Sequence, residues 1–316
     1  MKSIVCGIVL AVIVAMLAAL PWIGNTVLVQ FGINVLLLAT LAQGWNIIGG
    51  YTGYPSFGNS VFYGLGAYCV AIAMVQYHLP FWVGMLLGLG LGVVFAGLLG
   101  LAVLRLKGHY FAICTLGLAL VMTAIVSNLE IAGGNIGLVL PLLRSEVLFY
   151  ELALGLLVLA TLTIFWLSRS RFGLGLIAIR ENEEGAAVMG INTTLYKVLA
   201  FMLSAAFTAL AGGIYAYYIT FIDPVGVFDI TLNVKMIIMA VFGGPGSVLG
   251  PVVGAFILSA ISEVLATKLT SIASMFFGIV IVVAVVFMPR GIAHLAEHLR
   301  RTGWRYFVDN VKTHRL

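Results

Sequence analysis

Side chains able to do chemistry are few in this sequence, and their spacing suits docking and movement better than bond making. The densest polar run is Ser168 to Lys197. Within it Asn182 can accept an amide hydrogen bond as an N-cap, Glu183 and Glu184 suit the positive end of a helix, and Gly190 can close the turn in the left-handed conformation. Ala186, Ala187 and Met189 would give that helix a small, mostly apolar face. So short a helix is marginal alone in water, and Gly185 inside it costs about 1 kcal/mol relative to alanine. A docked partner would explain why it folds; a solvated loop is the plain alternative.

Catalytic chemistry finds little to work with. The histidines at 78, 109, 294, 298 and 314 fall mostly at interfaces or in the tail, and no H-E-x-x-H helix occurs. His294 and His298 stand four apart, yet a solvated amphipathic tail reads better than a metal pair, and no metal site is expected. Cys6, Cys69 and Cys114 lie in apolar runs without C-x-x-C spacing, which suggests neither a disulfide framework nor zinc. The absence of a G-x-x-x-x-G-K-S/T loop means that the chain cannot bind and hydrolyse ATP by that route.

The elements that must carry these residues are membrane helices. Of the 316 residues 62% are hydrophobic and 9% charged, against about 25% charged in soluble domains. A water-soluble enzyme is excluded, and about ten apolar helices of roughly 20 residues fit the arithmetic. The apolar runs are Ile4 to Trp22, Val27 to Ile48, Ser60 to Tyr77, Phe81 to Leu104, His109 to Asn128, Val147 to Leu167, Tyr196 to Ile219, Ile230 to Phe242, Pro251 to Ala266 and Ile272 to Met288. With the amino terminus inside, Lys2, Arg105, Lys107, Arg169, Arg171, Arg180, Lys197, Arg290 and the basic tail share the cytoplasmic side; only Arg144, Lys235 and Lys268 fall elsewhere. Joining the eighth and ninth runs into one span would place the tail outside, against that rule.

The fold class is therefore all-α and polytopic, with both termini cytoplasmic. Residues 1–290 form the transmembrane domain, including a cytoplasmic loop at 168–197, and 291–316 form a basic amphipathic tail. The first run could be a cleaved signal peptide, but its length to Trp22 exceeds the usual signal core and its retention keeps the charge sidedness consistent. Arg300, Arg301, Trp304, Arg305, Tyr306 and Phe307 suit anionic lipid headgroups, so the net charge of +5 points to the bilayer and not to nucleic acid.

Two glycine-rich interruptions, Gly49 to Gly58 and Gly243 to Pro251, each follow an inward-going span and precede a small-residue-rich one, a pattern compatible with a same-orientation repeat. Irregular backbone at membrane depth must be shielded by protein or line water, which makes both breaks candidate gates; ordinary cytoplasmic turns are the alternative. Lys235 and Glu263 are the exceptional charges within spans, placed toward outer ends where snorkelling or pairing explains them better than a proton relay.

The chain resembles the membrane permeases of branched-chain amino acid ABC importers, the LivH/LivM class and more closely the LivM side, from about Trp45 to Ile292. The strongest stretch runs from Arg169-Ser170-Arg171-Phe172-Gly173 through Ala178-Ile179-Arg180-Glu181-Asn182-Glu183 to Met189-Gly190-Ile191-Asn192 and Tyr196-Lys197. Within it Glu184-Gly185-Ala186 and, four residues on, Gly190 are similar to the E-A-A-x-x-x-G loop whose coupling helix docks into an ATPase; Gly185 replaces the first alanine. Gly50-Tyr51-Thr52-Gly53, Gly133-Gly134-Asn135, Gly243-Gly244-Pro245-Gly246-Ser247 and Pro289-Arg290-Gly291 follow in family order.

The resemblance implies an inner-membrane transport subunit of bacteria with no cofactor of its own. ATP and Mg would sit on two partner ATPase subunits, beside a homologous second permease and an extracytoplasmic substrate-binding protein. It implies ATPase coupling through Arg180, Glu181, Asn182, Glu183, Glu184, Gly185, Ala186, Ala187, Met189 and Gly190. Gln43, Asn46, Tyr54, Ser56, Asn59, Gly243, Gly244 and Ser247 are expected near the solute pathway. Leucine, isoleucine and valine are the expected solutes; urea or short amides, carried by related permeases, and a self-contained channel or carrier are the alternatives.

Overall fold

Helix ends in this chain are set by short polar side chains. Asn25 starts α1 (Thr26–Trp45), Ser170 starts α6 (Arg171–Glu181), Asn182 starts α7 (Glu183–Val188) and Asn192 starts α8 (Thr193–Ile219), each accepting a backbone N–H with its side-chain oxygen. Asp223 and Asp229 do the same for α9 (Pro224–Val227) and α10 (Ile230–Gly243). The remaining helices are α2 (Asn59–Val75), α3 (Phe81–Val103), α4 (His109–Ser127), α5 (Glu146–Arg169) and α11 (Gly250–Lys268). This computed structural model describes residues 17–268 apart from Gly24, Lys107 and Arg144. The expected last span, Ile272 to Met288, the tail 291–316 with its histidines, and most of the first span lie outside the described residues.

Among the described residues six helices are long and apolar enough to cross a membrane, and two shorter apolar ones, Asn59–Val75 and Gly250–Val264, stand beside them. The eight inner apolar runs of the sequence each correspond to one of these. The eighth and ninth are separate helices: α10 and α11 pack side by side as an antiparallel pair, with Gly254 against the carbonyl of Met239 and the backbone of Gly243.

The core forms where α2, α3 and α8 meet and where α1 lies against α5, α8, α10 and α11. A side chain at Gly66 would sit 2.0 Å from the Ala209 carbonyl oxygen, and one at Gly212 2.0 Å from that of Tyr63, so α2 and α8 touch backbone to backbone. On the opposite side, Leu86, Leu87, Leu91, Val94, Leu98 and Leu101 of α3 are exposed, a surface suited to lipid.

The two ends of the bundle differ. At one, β1 (Leu138–Val139) and β2 (Phe221–Ile222) pair antiparallel, Leu138 opposite Ile222, tying the loop after α4 to the loop after α8. Gln30 donates to Glu146 at the same end. At the other, α6 and α7 lie across the ends of α1 and α8, gathering Arg169, Arg171, Arg180 and Lys197. Among the described residues, successive loops alternate between these two ends.

Candidate functional site

At the basic end, α1 widens into a π-helical turn, Asn46–Tyr51, a distortion that often marks functional positions. The chain then doubles back: Tyr54 N donates to the Ile48 carbonyl, and the Trp45 indole N–H to the Ser56 carbonyl at 2.8 Å. Residues 52–58 are mostly buried, and α2 begins inside the bundle. Its first residues show the depth. Asn59 donates to Ser204 Oγ at 3.0 Å, eleven residues or about 16 Å into α8. Ser60 N donates to Asn233 Oδ1 at 2.8 Å, and Asn233 Nδ2 to Ser60 Oγ at 2.7 Å. Asn233 lies ten residues, about 15 Å, before the end of α10, so this fully buried polar knot sits near the middle of a hydrocarbon core about 30 Å thick. Protein groups thus satisfy the backbone that lipid could not.

The second break, between α10 and α11, lies against the first. Asn46 Nδ2 donates to the Ser247 carbonyl at 2.9 Å while Asn46 Oδ1 accepts from Gly246 N at 2.7 Å. Gln43 donates to the Val248 carbonyl at 2.8 Å. Ser247 Oγ donates to the Gly244 carbonyl and accepts from Gly250 N, closing the turn into α11. Glycine is required on both sides: a Cβ at Gly50 would stand 2.5 Å from Gly246 N, and Gly246 itself has φ +77°.

The polar loop of 168–197 clasps this junction. Arg180, at the end of α6, donates to the Gly50 carbonyl at 3.0 Å, packs its stem on Gly53 and pairs with Glu181 at 2.9 Å. Glu183, first residue of α7, accepts from Lys197 Nζ at 2.6 Å and from the hydroxyl of Tyr54. Lys197, only 3% exposed, also donates to Tyr54 Oη and to the Leu104 carbonyl, both within 3.1 Å. Burial first, then the Glu183 carboxylate, push the Tyr54 phenol far above its ordinary pKa, so it stays a hydrogen-bond donor. Beyond this anchor α7 turns outward. Ala186 is buried, whereas Glu184, Gly185, Ala187, Val188 and Met189 are exposed, the last two at 89% and 84%. Asn182 caps the helix through Gly185 N at 2.9 Å, and Gly190 has φ +87°.

The expected site residues fall into two groups. Arg180 through Gly190 form the clasp and its outer face, joined by Tyr54. Gln43, Asn46, Gly243, Gly244 and Ser247 form the junction of the breaks, while Ser56 and Asn59 lead into the mid-depth knot. Lys197, Ser60, Ser204 and Asn233 belong with them, although only a lone asparagine in the apolar run Ile230 to Phe242 hinted at one. Lys235 is eight residues, about 12 Å, from the reversal at Gly243 and lines a cleft with Gln30 and Glu263.

The arrangement links an exposed helix to two broken membrane helices. The family described as branched-chain amino acid transport system, permease component, matches residues 27–285. The chain belongs to that family. The permease is 29% identical over 307 residues to the high-affinity branched-chain amino acid transport system permease protein LivM of Salmonella typhimurium, covering 87% of this chain and 72% of that one. It is 28% identical over 316 residues to the LivM of Escherichia coli, covering 90% and 74%. Over 162 residues, 48% of this chain and 46% of the relative, it is 32% identical to the autoinducer 2 import system permease protein LsrC of Salmonella paratyphi B. No solved structure matches. The permease is thus a multi-pass membrane protein and, like these relatives, a transport component.

Proposed function

We propose that this chain is the transmembrane permease subunit of a bacterial ATP-driven ABC importer for branched-chain amino acids, working with two ATPase subunits, a homologous second permease and an extracytoplasmic binding protein in the inner membrane. The observation that carries the reading is the double attachment of the loop of 168–197. Glu183 holds Tyr54 and Lys197, Arg180 holds Gly50, and the apolar tip Val188 and Met189 is left exposed for a partner.

A displacement of α7 would pass through Tyr54 to the extended chain before α2, and through Arg180 and Gly50 to the contact of the two breaks. Two arrangements of that contact, biased by the ATPase, would open the path to one side or the other. Ten spans with both termini cytoplasmic are part of this reading, supported by the basic side chains at the clasp end. The identity to the two LivM proteins over most of the chain favours branched-chain amino acids; the partial match to the autoinducer 2 permease is the competing substrate.

The test is purification of the tagged chain from its native membranes in mild detergent, with identification of what accompanies it. Two ATPases and a second permease are expected. Reproducible recovery of this chain alone, with solute flux in vesicles, would overturn the importer reading in favour of a channel or carrier.

A further inference from the structure

Between α1, α10 and α11, away from the clasp, the permease has a cleft of about 260 Å³ whose wall carries Gln30, Asn34, Lys235, Ser259, Ser262 and Glu263. Gln30, Asn34 and Glu263 are exposed, on helices apolar enough to lie in a membrane. A face this polar is disfavoured against lipid and suits water, solute or protein. The contrast is with α3, whose exposed residues are leucine and valine.

We infer that this cleft is where the permease holds its solute, and that Lys235 and Glu263 read the two charges of a zwitterionic amino acid, Lys235 its carboxylate and Glu263 its ammonium. This rests on the importer reading and narrows it. The cleft has room for roughly nine water-sized groups at about 30 Å³ each, enough for one amino acid and too little for a peptide. Phe31, Val35 and Leu38 give an apolar wall for an aliphatic side chain. Both charged side chains already interact with other groups in this structure, so solute entry is an exchange of partners. Ser259, on the cleft wall, has its Oγ buried without a hydrogen-bond partner among the described residues.

Position favours passage as well as binding. Leu38 and Met239, both in the cleft wall, stand little more than one helical turn before Gln43 and Gly243, where the two breaks meet. A shift of that junction would therefore move two of the three walls. An opposite-charge pair matches the two charges of a zwitterion, a complement that urea and a neutral amide lack.

The experiment uses the whole importer in a host lacking its own leucine uptake, with labelled leucine as the probe. Leucine uptake should resist 4-methylpentanoate, which lacks the ammonium, and leucinamide, which lacks the carboxylate. Lys235→Gln and Glu263→Gln should each lower it about tenfold or more while the ATPases still copurify. Because either variant could act by misfolding, a second measurement uses Ser262→Cys with Cys6, Cys69 and Cys114 replaced by alanine. Its reaction with a water-soluble thiol reagent should be slowed by leucine and not by the two analogues. A thiol that does not react, or that leucine does not protect in a transporting complex, overturns the site. Protection by urea and not by leucine overturns the zwitterion assignment. Failure to recover ATPases with the unaltered chain would instead overturn the importer reading itself.

Discussion

The hydroxyl of Tyr54 donates a hydrogen bond to the carboxylate of Glu183, 129 residues further along the chain. One group lies in the break between the first two described membrane helices, the other opens the short helix that faces outward. Lys197 Nζ lies within hydrogen-bond distance of both, at 3.1 Å from Tyr54 and 2.6 Å from Glu183. The bond therefore connects α7, whose tip is exposed, to the interior of the bundle.

Replacing Tyr54 by phenylalanine tests that connection. The ring should keep its edge-on contact with Phe111, 5.4 Å between centroids, and Glu183 should keep Lys197. Stability is expected to fall by about 1 kcal/mol. Transport per ATP hydrolysed should fall several-fold at an unchanged level of chain in the membrane, measured as uptake against phosphate release.

Lys197→Met removes the cation that neutralises Glu183 in a largely buried setting. Breaking one side of such a pair costs about 3 kcal/mol, and the remaining water access at Glu183 places the expected loss at the lower end. Thermal unfolding in detergent should show it. The double variant with Glu183→Gln should be more stable than the single, because no uncompensated charge remains; equal instability would mean that the pair is not coupled.

The outer face of α7 should behave differently. Val188→Asp or Glu184→Arg alters only exposed positions and should leave yield and unfolding temperature within error. ATPase recovery on purification should nevertheless drop sharply. Full recovery with normal uptake would remove α7 from the docking surface.

Gly50→Ala should disrupt the junction of the breaks, since its Cβ would lie 2.0 Å from Asn46 Oδ1 and 2.5 Å from the backbone of Gly246. A loss of about 2 kcal/mol and of transport is expected, in line with overpacking. Gly90→Ala is the control. A Cβ at Gly90 meets nothing within 4 Å, so the helix should gain up to about 1 kcal/mol from alanine.

Much of this architecture is legible in the residues themselves. Apolar length separates the spans, basic residues mark one end, and Asn182 and Gly190 delimit a helix that the structure places between them. These signals are local: a cap needs its oxygen within one turn, and a span needs only enough consecutive apolar residues to avoid water. Lys197 shows where local reading stops. In sequence it is one more basic residue at the end of the polar loop, whereas in the fold it is a buried cation, 3% exposed, that holds Glu183, Tyr54 and Leu104 together.

The sequence by itself determined a polytopic helical chain, its glycine-rich breaks and a short helix opening at Asn182, because composition and turn chemistry act over a few residues; the permease assignment came from its resemblance to a family. Only the tertiary structure decided that the two breaks touch each other through Asn46, that α2 begins in mid-membrane against Asn233 and Ser204, and that Lys235 and Glu263 share one cleft. Those pairings depend on which helices lie side by side, and packing decides this through close backbone approach at residues such as Gly66 and Gly212, far apart along the chain.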